Sequence, residues 1–125
     1  TIPAQTTPPP IVVAVAGCRA AIRADDAVFA RGDGVFETTL VRSGIVCLLE
    51  EHLARLAASA ALAGLSCPEA GVWRAAVAAA VGQRPSGDAV LRLVLGRGSD
   101  GPVAFAMVSA VPDGLPRFGA REYRR

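Results

Sequence analysis

Residues 32–56 read GDGVFETTLVRSGIVCLLEEHLARL, and the rest of the chain is organised around this stretch. Gly32 and Gly34 flank Asp33, a pattern typical of a tight turn that needs positive φ or close backbone approach. Residues 35–41 are rich in β-branched and aromatic side chains, which favours a β-strand. The stretch therefore begins with a turn and an outgoing strand.

The second half of this stretch predicts a hairpin and a helix. Ser43 and Gly44 form a two-residue turn signal, and residues 45–47 resume the strand pattern. From Leu49 onward the apolar residues recur with a period of 3.6, and Gly64 suits a left-handed cap at the helix C-terminus. The predicted apolar face of this helix comprises Leu49, Leu53, Leu56, Ala60 and Ala63.

Shorter elements are predicted before this stretch. Residues 11–16 resemble a buried strand, Gly17 suits a turn, and residues 20–23 suit a second short strand. Asp26 is well placed to cap a single helical turn over residues 27–31.

One more helix and two strands are predicted after it. Ser66 and Glu69 have the spacing of a capping box, so a helix is expected to begin there and to stop near Gly82. Residues 89–95 and 103–110 are strand candidates. The predicted packing face of the second helix comprises Val72, Ala75, Ala76 and Ala79.

These elements predict an α+β fold, in which two helices pack on one face of an antiparallel sheet. The chain of 125 residues has room for one domain with an ordinary core. Residues 1–10 are expected to form an irregular lead-in and residues 11–112 the α+β domain. From Val111 onward proline, glycine and arginine accumulate, and residues 113–125 are expected to form a linker toward a further domain.

Composition narrows the classes of partner. A net charge of +2 is too small to indicate binding to nucleic acid or to an acidic membrane surface. Three cysteines without a C-x-x-C pair and a single histidine argue against a disulfide framework and against a metal site. The apolar run at residues 11–17 is too short to span a bilayer, so a cytoplasmic location is expected.

Three segments together carry a resemblance to a known family: GDGVFET, LLEEHLARL and VLRLVLGRGSDG. They resemble the class IV, fold-type IV pyridoxal phosphate enzymes, which comprise branched-chain aminotransferases, D-amino-acid aminotransferases and 4-amino-4-deoxychorismate lyase. The resemblance covers residues 11–112 and corresponds to the smaller N-terminal domain only. The third segment is most similar to the lyase branch.

The resemblance implies a function and a set of partners. The chain would be the N-terminal part of an aminodeoxychorismate lyase, which converts 4-amino-4-deoxychorismate to 4-aminobenzoate and pyruvate for folate synthesis. A branched-chain or D-amino-acid aminotransferase is the alternative within this family. A small-molecule substrate, the cofactor pyridoxal 5'-phosphate, a C-terminal domain and a homodimer are implied as partners. An alternative of another class is a stand-alone, non-catalytic binding domain.

The resemblance also implies roles for individual residues. Arg55, in the EHL-x-RL motif, would hold the cofactor phosphate; the alternative is an ordinary solvated helix arginine paired with Glu51. Phe36 and Thr38 lie two apart on one strand, so their side chains share a face, which in the family borders the substrate. The alternative for this pair is a purely structural role.

An arginine for the substrate carboxylate is the remaining site prediction. Arg97 is implied by its similarity to the arginine at an RG strand end in D-amino-acid aminotransferases, and Arg92 is its weaker rival. The glycines of residues 96–101 match G-x-G-x-x-G, but Pro102 and a β-rich run follow, so a turn is favoured over a nucleotide site.

Two more polar residues receive structural interpretations. Glu37 points to the face opposite Phe36 and is expected to pair or to hydrogen-bond across the sheet; the alternative is a role as general base. His52 is expected to be a packing or capping histidine within the helix.

The chain contains no lysine, since all 13 of its basic side chains are arginine. It therefore cannot form a Schiff base with pyridoxal phosphate through a lysine of its own. The resemblance implies that this lysine, and the acidic partner of the pyridine nitrogen, come from the C-terminal domain. We expect no catalytic residue within these 125 residues, so the chain alone should be inactive.

Overall fold

The computed structural model describes residues 9–20, 34–84, 87–98 and 101–111. The predicted short strand at 20–23 lies almost wholly outside the described residues. The turn at Asp33, the helical turn at 27–31 and the linker at 113–125 lie wholly outside them. In chain order the elements are β1 (Ile11–Ala14), β2 (Gly34–Arg42), β3 (Ile45–Val46), α1 (Leu49–Ala63), α2 (Ala70–Gly82), β4 (Ala89–Gly98) and β5 (Gly101–Ala110).

The strands form one sheet in the order β1-β5-β4-β2-β3, with antiparallel pairing between neighbours. An isolated parallel bridge joins Arg19 to Val103 beside it. Both helices pack on the same face of the sheet. The predicted α+β architecture is therefore confirmed.

The hairpin between β2 and β3 forms at the predicted place. Ser43 and Gly44 have φ of 51° and 78°, and Arg42 pairs with Ile45 across the turn. Positive φ at both central residues matches a type I′ turn, whose twist suits the twist of paired strands.

Helix α1 ends as the sequence predicts. Gly64 has φ of 72°, its N–H donates to the carbonyl of Ala61, and the N–H of Leu65 donates to that of Ala60. These bonds satisfy carbonyls that the helix itself leaves unpaired. Leu53, Leu56 and Ala60 are buried as expected, whereas Ala63 is exposed, so the apolar face stops one turn earlier than predicted.

Helix α2 begins later than predicted. Its N-cap is Glu69, which has extended backbone angles and no side-chain capping hydrogen bond, so the predicted capping box with Ser66 does not form. Two features hold the segment before it out of the helix. A proline disfavours helical angles at the preceding residue, here Cys67, and the side chain of Cys67 packs against the core.

The packing face of α2 is also shifted by one residue from the prediction. The residues it buries are Trp73, Ala76, Val77 and Ala80. Trp73 offers the largest apolar surface on this helix and is 1% exposed, so burying its ring determines the rotation of the helix. Among the described residues, neither helix is long and apolar enough to cross a membrane.

Strands β4 and β5 are longer than predicted. Gly98 pairs with Gly101 and Arg97 with Pro102, so the expected loop at 96–102 is mostly ladder. Apolar side chains on the helix-bearing face of the sheet join α1 and α2 in one core, which includes Leu91, Leu93, Leu95, Ala104, Ala106 and Val108. The opposite face carries a smaller cluster of Val94, Val103 and Phe105.

Gly98 permits the close approach of β4 and β5, and its replacement tests the ladder. A Cβ there would lie 2.7 Å from the carbonyl oxygen of Gly101 and 2.7 Å from Cγ2 of Val103. We expect Gly98→Ala to lower the free energy of unfolding by about 1–3 kcal/mol, measured by urea denaturation.

Gly71→Ala is the matched control for that substitution. Gly71 is in α2, and a Cβ there would have no neighbour within 4 Å. Alanine is the better helix former, so this variant should gain up to about 1 kcal/mol. Equal effects of the two substitutions would contradict the role given to Gly98.

Candidate functional site

A buried carboxylate lies between β2 and α1. Glu37 and Thr39, each 8% exposed, are the buried polar residues among those described. The hydroxyl of Thr39 donates to the carbonyl of Cys47 at 2.8 Å. The carboxylate of Glu37 is bound by α1 instead, since its Oε1 lies 2.6 Å from Nδ1 of His52. Both strand residues face the helices because they alternate with Phe36 and Thr38.

The same carboxylate oxygen is approached by Arg55, one helical turn after His52. Nε of Arg55 lies 3.5 Å from Oε1 of Glu37, and the arginine side chain is 70% exposed. We refer to Glu37, His52 and Arg55 as the Glu37 cluster. Residues i and i+3 of a helix share a face, which is why two side chains of α1 reach one residue of β2.

The Glu37 cluster is suited to bind an anion. Burying a carboxylate is unfavourable unless it is paired and hydrogen-bonded, and His52 and Arg55 supply both interactions. Arg55 contacts Glu37 through Nε, and its exposure leaves other N–H donors of the guanidinium accessible. A guanidinium with free donors can form bidentate hydrogen bonds with a phosphate group.

The cluster also revises the interpretations of its members. Arg55 is largely exposed and forms an ion pair with Glu37 of β2. The sequence offered Glu51, on the same helix, as the alternative partner. Glu37 is a partnered carboxylate, as expected, but its partners lie on α1 and not across the sheet. His52 packs within the helix layer, but its hydrogen bond to Glu37 was not foreseen. The sequence does contain one signal for this contact: an acidic residue at a strand position that faces the helices needs a hydrogen-bonding partner on them.

Phe36 and Thr38 lie on the other face of β2. Phe36 is 47% exposed and Thr38 is exposed as well. Thr38 pairs with Arg92 of β4 in the sheet register, and Cζ of Arg92 lies 5.9 Å from the centre of the Phe36 ring. This distance is within the range of a cation–π contact. The structure therefore brings together Phe36, Thr38 and the exposed Arg92, which we call the Phe36 face.

Arg97 is not part of the Phe36 face. It lies two positions after Leu95 and four after Leu93, so it is on the same helix-bearing side of β4, and its guanidinium donates to the carbonyl of Gly64 at 2.8 Å. Arg97 thus binds the C-terminal cap of α1, where carbonyl groups favour a cation. Its role in binding a substrate carboxylate stays a prediction.

The Glu37 cluster and the Phe36 face meet at one edge of the sheet. Strand β3 pairs with β2 only at Val41 and Arg42, and β4 pairs along its other side. Among the described residues, positions 34–39 of β2 therefore have a strand neighbour on one side only.

Comparison with known proteins agrees with this fold. Residues 34–122 match the family model of amino-transferase class IV, and the chain belongs to this family. It is 48% identical over 98 residues to the bifunctional aminodeoxychorismate lyase / D-amino acid transaminase of Mycobacterium tuberculosis (strain ATCC 25618 / H37Rv). That match covers 73% of this chain and 34% of the relative.

Solved structures show the same relationship. A hypothetical aminotransferase from Mycobacterium tuberculosis, in its PLP-bound form, is 40% identical with a TM-score of 0.75, over 84% of this chain and 41% of the other. The 4-amino-4-deoxychorismate lyase from Pseudomonas aeruginosa is 28% identical with a TM-score of 0.61, over 90% and 42%. The chain therefore spans well under half the length of these relatives, and the family resemblance seen in the sequence is confirmed.

Proposed function

We propose that this chain is the N-terminal part of a pyridoxal phosphate enzyme that acts as an aminodeoxychorismate lyase. The observation that carries the proposal is Arg55, whose exposed guanidinium is paired with a buried carboxylate and lies in the EHL-x-RL motif of a class IV family member. The relative at 48% identity has a name that includes this lyase activity, which supports the choice of reaction.

The residues of this chain fit one end of the cofactor. Arg55 supplies a permanently charged, forked donor for the phosphate dianion. When bound, pyridoxal phosphate supplies an electron sink for the carbon atom whose bonds are rearranged. The covalent anchor is a lysine, and the 125 residues contain none. We therefore propose that this chain binds the phosphate, that the lysine comes from outside these residues, and that the chain alone is inactive.

The substrate would lie on the other side of β2. Phe36 and Thr38 offer an apolar ring and a hydroxyl, and Arg92 adds a cation next to them. A cyclic substrate that carries carboxylates matches this combination, since the ring can stack on Phe36 and a carboxylate can pair with Arg92. Half-exposed Phe36 and Val12 also leave apolar surface on this sheet face, and we propose that the C-terminal domain or a second subunit covers it.

An aminotransferase is the second candidate. The bifunctional relative is also named a D-amino acid transaminase, and the solved structure with the higher identity is described as an aminotransferase. Both reactions need the same cofactor phosphate site, so the Glu37 cluster serves either one.

The test of the proposed function uses the native full-length polypeptide. It is incubated with pyridoxal phosphate and 4-amino-4-deoxychorismate, and 4-aminobenzoate and pyruvate are measured. A parallel reaction contains a D-amino acid and a keto acid acceptor. Equal amounts of 4-aminobenzoate and pyruvate are the expected result. Amino transfer alone would favour the second candidate, and neither product would contradict both.

Substitutions at the two β4 arginines test which of them meets the substrate. Arg92 lies on the Phe36 face, so Arg92→Ala should raise the KM for a carboxylate substrate about tenfold, as expected for one lost charged hydrogen bond. Substrate binding by Arg97 would give the same increase for Arg97→Ala, whereas a structural role at Gly64 would leave KM unchanged and lower the melting temperature. An increase for Arg97→Ala alone would assign substrate binding to Arg97.

A further inference from the structure

The guanidinium of Arg55 contacts the Glu37 carboxylate, whose own position is restrained by the sheet and by His52. Glu37 belongs to β2, which pairs with β4 at every position from Gly34 to Val41. Its carboxylate is 8% exposed, and His52 hydrogen-bonds Oε1 at 2.6 Å. A side chain buried on a paired strand, with a second hydrogen-bond partner, has few alternative rotamers. Glu37 is therefore a rigid support for a flexible arginine.

Such a support matters because a free arginine is costly to immobilise. Its side chain carries about 2 kcal/mol of rotamer entropy, and the side chain of Arg55 is 70% exposed. A contact at Nε restricts the stem of the side chain while the outer N–H donors stay accessible. An arginine restrained before the anion arrives loses less entropy on binding it.

We propose that Glu37 and His52 are positioning residues that hold Arg55 for a phosphate monoester, an inference that rests on the proposed function. Glu37 fixes the Nε edge of the guanidinium. His52 fixes Glu37 by donating its Nδ1–H to the ionised carboxylate, since a hydrogen bond between these atoms needs one proton and an ionised carboxylate only accepts. Neither residue contacts the phosphate.

Glu37 can influence phosphate binding in two opposite ways, and a substitution separates them. A carboxylate near Arg55 could repel a phosphate dianion, in which case its neutralisation would strengthen phosphate binding. The positioning role predicts the reverse, namely that Glu37→Gln weakens phosphate binding. The sign of the change therefore separates the two effects.

The measurement is the ratio of two dissociation constants in the native full-length polypeptide. Pyridoxal 5'-phosphate and pyridoxal share the same ring and aldehyde, so the ratio of their dissociation constants isolates the contribution of the phosphate and requires no turnover. Absorbance titration supplies both constants. The melting temperature of each variant, measured in parallel, reports on structural damage.

The expected results follow from the contacts. Glu37→Gln and His52→Ala should each reduce the preference for the phosphorylated ligand about threefold to tenfold, the range expected when a rotamer-rich side chain must be immobilised on binding. His52→Asn should stay within about twofold of the original preference, because the Asn amide N–H can replace the Nδ1–H donor. Glu51→Gln, an exposed position in the same helix turn as His52, is the matched control and should have no effect.

The outcomes distinguish this inference from the proposed function. If Arg55→Ala leaves the preference for phosphate unchanged, the phosphate site itself is wrong, and the positioning role is wrong with it. If Arg55→Ala reduces the preference but Glu37→Gln and His52→Ala match Glu51→Gln, only the positioning role is overturned. A preference that increases in Glu37→Gln would likewise overturn it.

Discussion

Arg55→Ala is expected to lower the affinity of the native full-length protein for pyridoxal phosphate by about 10- to 100-fold. The substitution removes a permanently charged donor, and in the proposed site no other member of the Glu37 cluster donates a hydrogen bond to the phosphate dianion. It also leaves the buried Glu37 carboxylate with His52 as its remaining described partner. Absorbance or fluorescence titration with the cofactor measures the change.

Arg74→Ala is the matched control for Arg55→Ala. Arg74 is an exposed arginine on α2 that donates two hydrogen bonds to Glu50, at 2.9 and 2.7 Å, and lowers the pKa of that carboxyl through them. It lies outside the Glu37 cluster, so its removal should leave cofactor affinity unchanged. Equal affinities of the Arg55 and Arg74 variants would contradict a phosphate site at Arg55.

Trp73→Ala is expected to destabilise the fold by about 3–5 kcal/mol. The indole is 1% exposed and lies in the core shared by both helices and the sheet. Its loss removes much of a total stability that is typically about 5–15 kcal/mol for a domain. Urea unfolding should be followed by circular dichroism, because Trp73 is the single tryptophan and its fluorescence is lost in the variant.

Two further substitutions calibrate the effect of Trp73→Ala. Leu62 is 92% exposed on α1, so Leu62→Ala should change stability by less than about 0.5 kcal/mol. The indole Nε1 is buried without a hydrogen-bond partner among the described residues. Trp73→Phe removes this unsatisfied donor and keeps an aromatic ring, so it should cost much less than Trp73→Ala. Similar losses for phenylalanine and alanine would show that the ring volume is not what stabilises the core.

Several parts of this fold were predictable because they depend on residues close together in the chain. The hairpin needs positive φ at Ser43 and Gly44, and the end of α1 needs a left-handed residue at Gly64. Both positions carry residues suited to turns or caps, and the hydrogen bonds that complete them join residues no more than seven positions apart. Strand alternation likewise predicted that Phe36 and Thr38 share the face opposite Glu37.

The start and rotation of α2 were not predictable in this way. The capping-box spacing at Ser66 and Glu69 is a local signal, but the packing of Cys67 against the core keeps that segment extended. The alanine-rich sequence of α2 supports several packing faces of similar polarity. Burial of Trp73 against the sheet selects one of them, and that contact depends on strands far away in sequence.

The sequence by itself determined the family, the sheet with its two helices, and Arg55 as the candidate phosphate ligand, because motifs, turns and periodicity act over short distances. Only the tertiary structure decided the partners of the charged side chains. Glu37 meets His52 across 15 positions, and Arg97 meets Gly64 across 33. Such contacts depend on how β2, α1 and β4 pack, since a charged side chain pairs with whichever opposite charge or carbonyl the fold brings within a few ångströms.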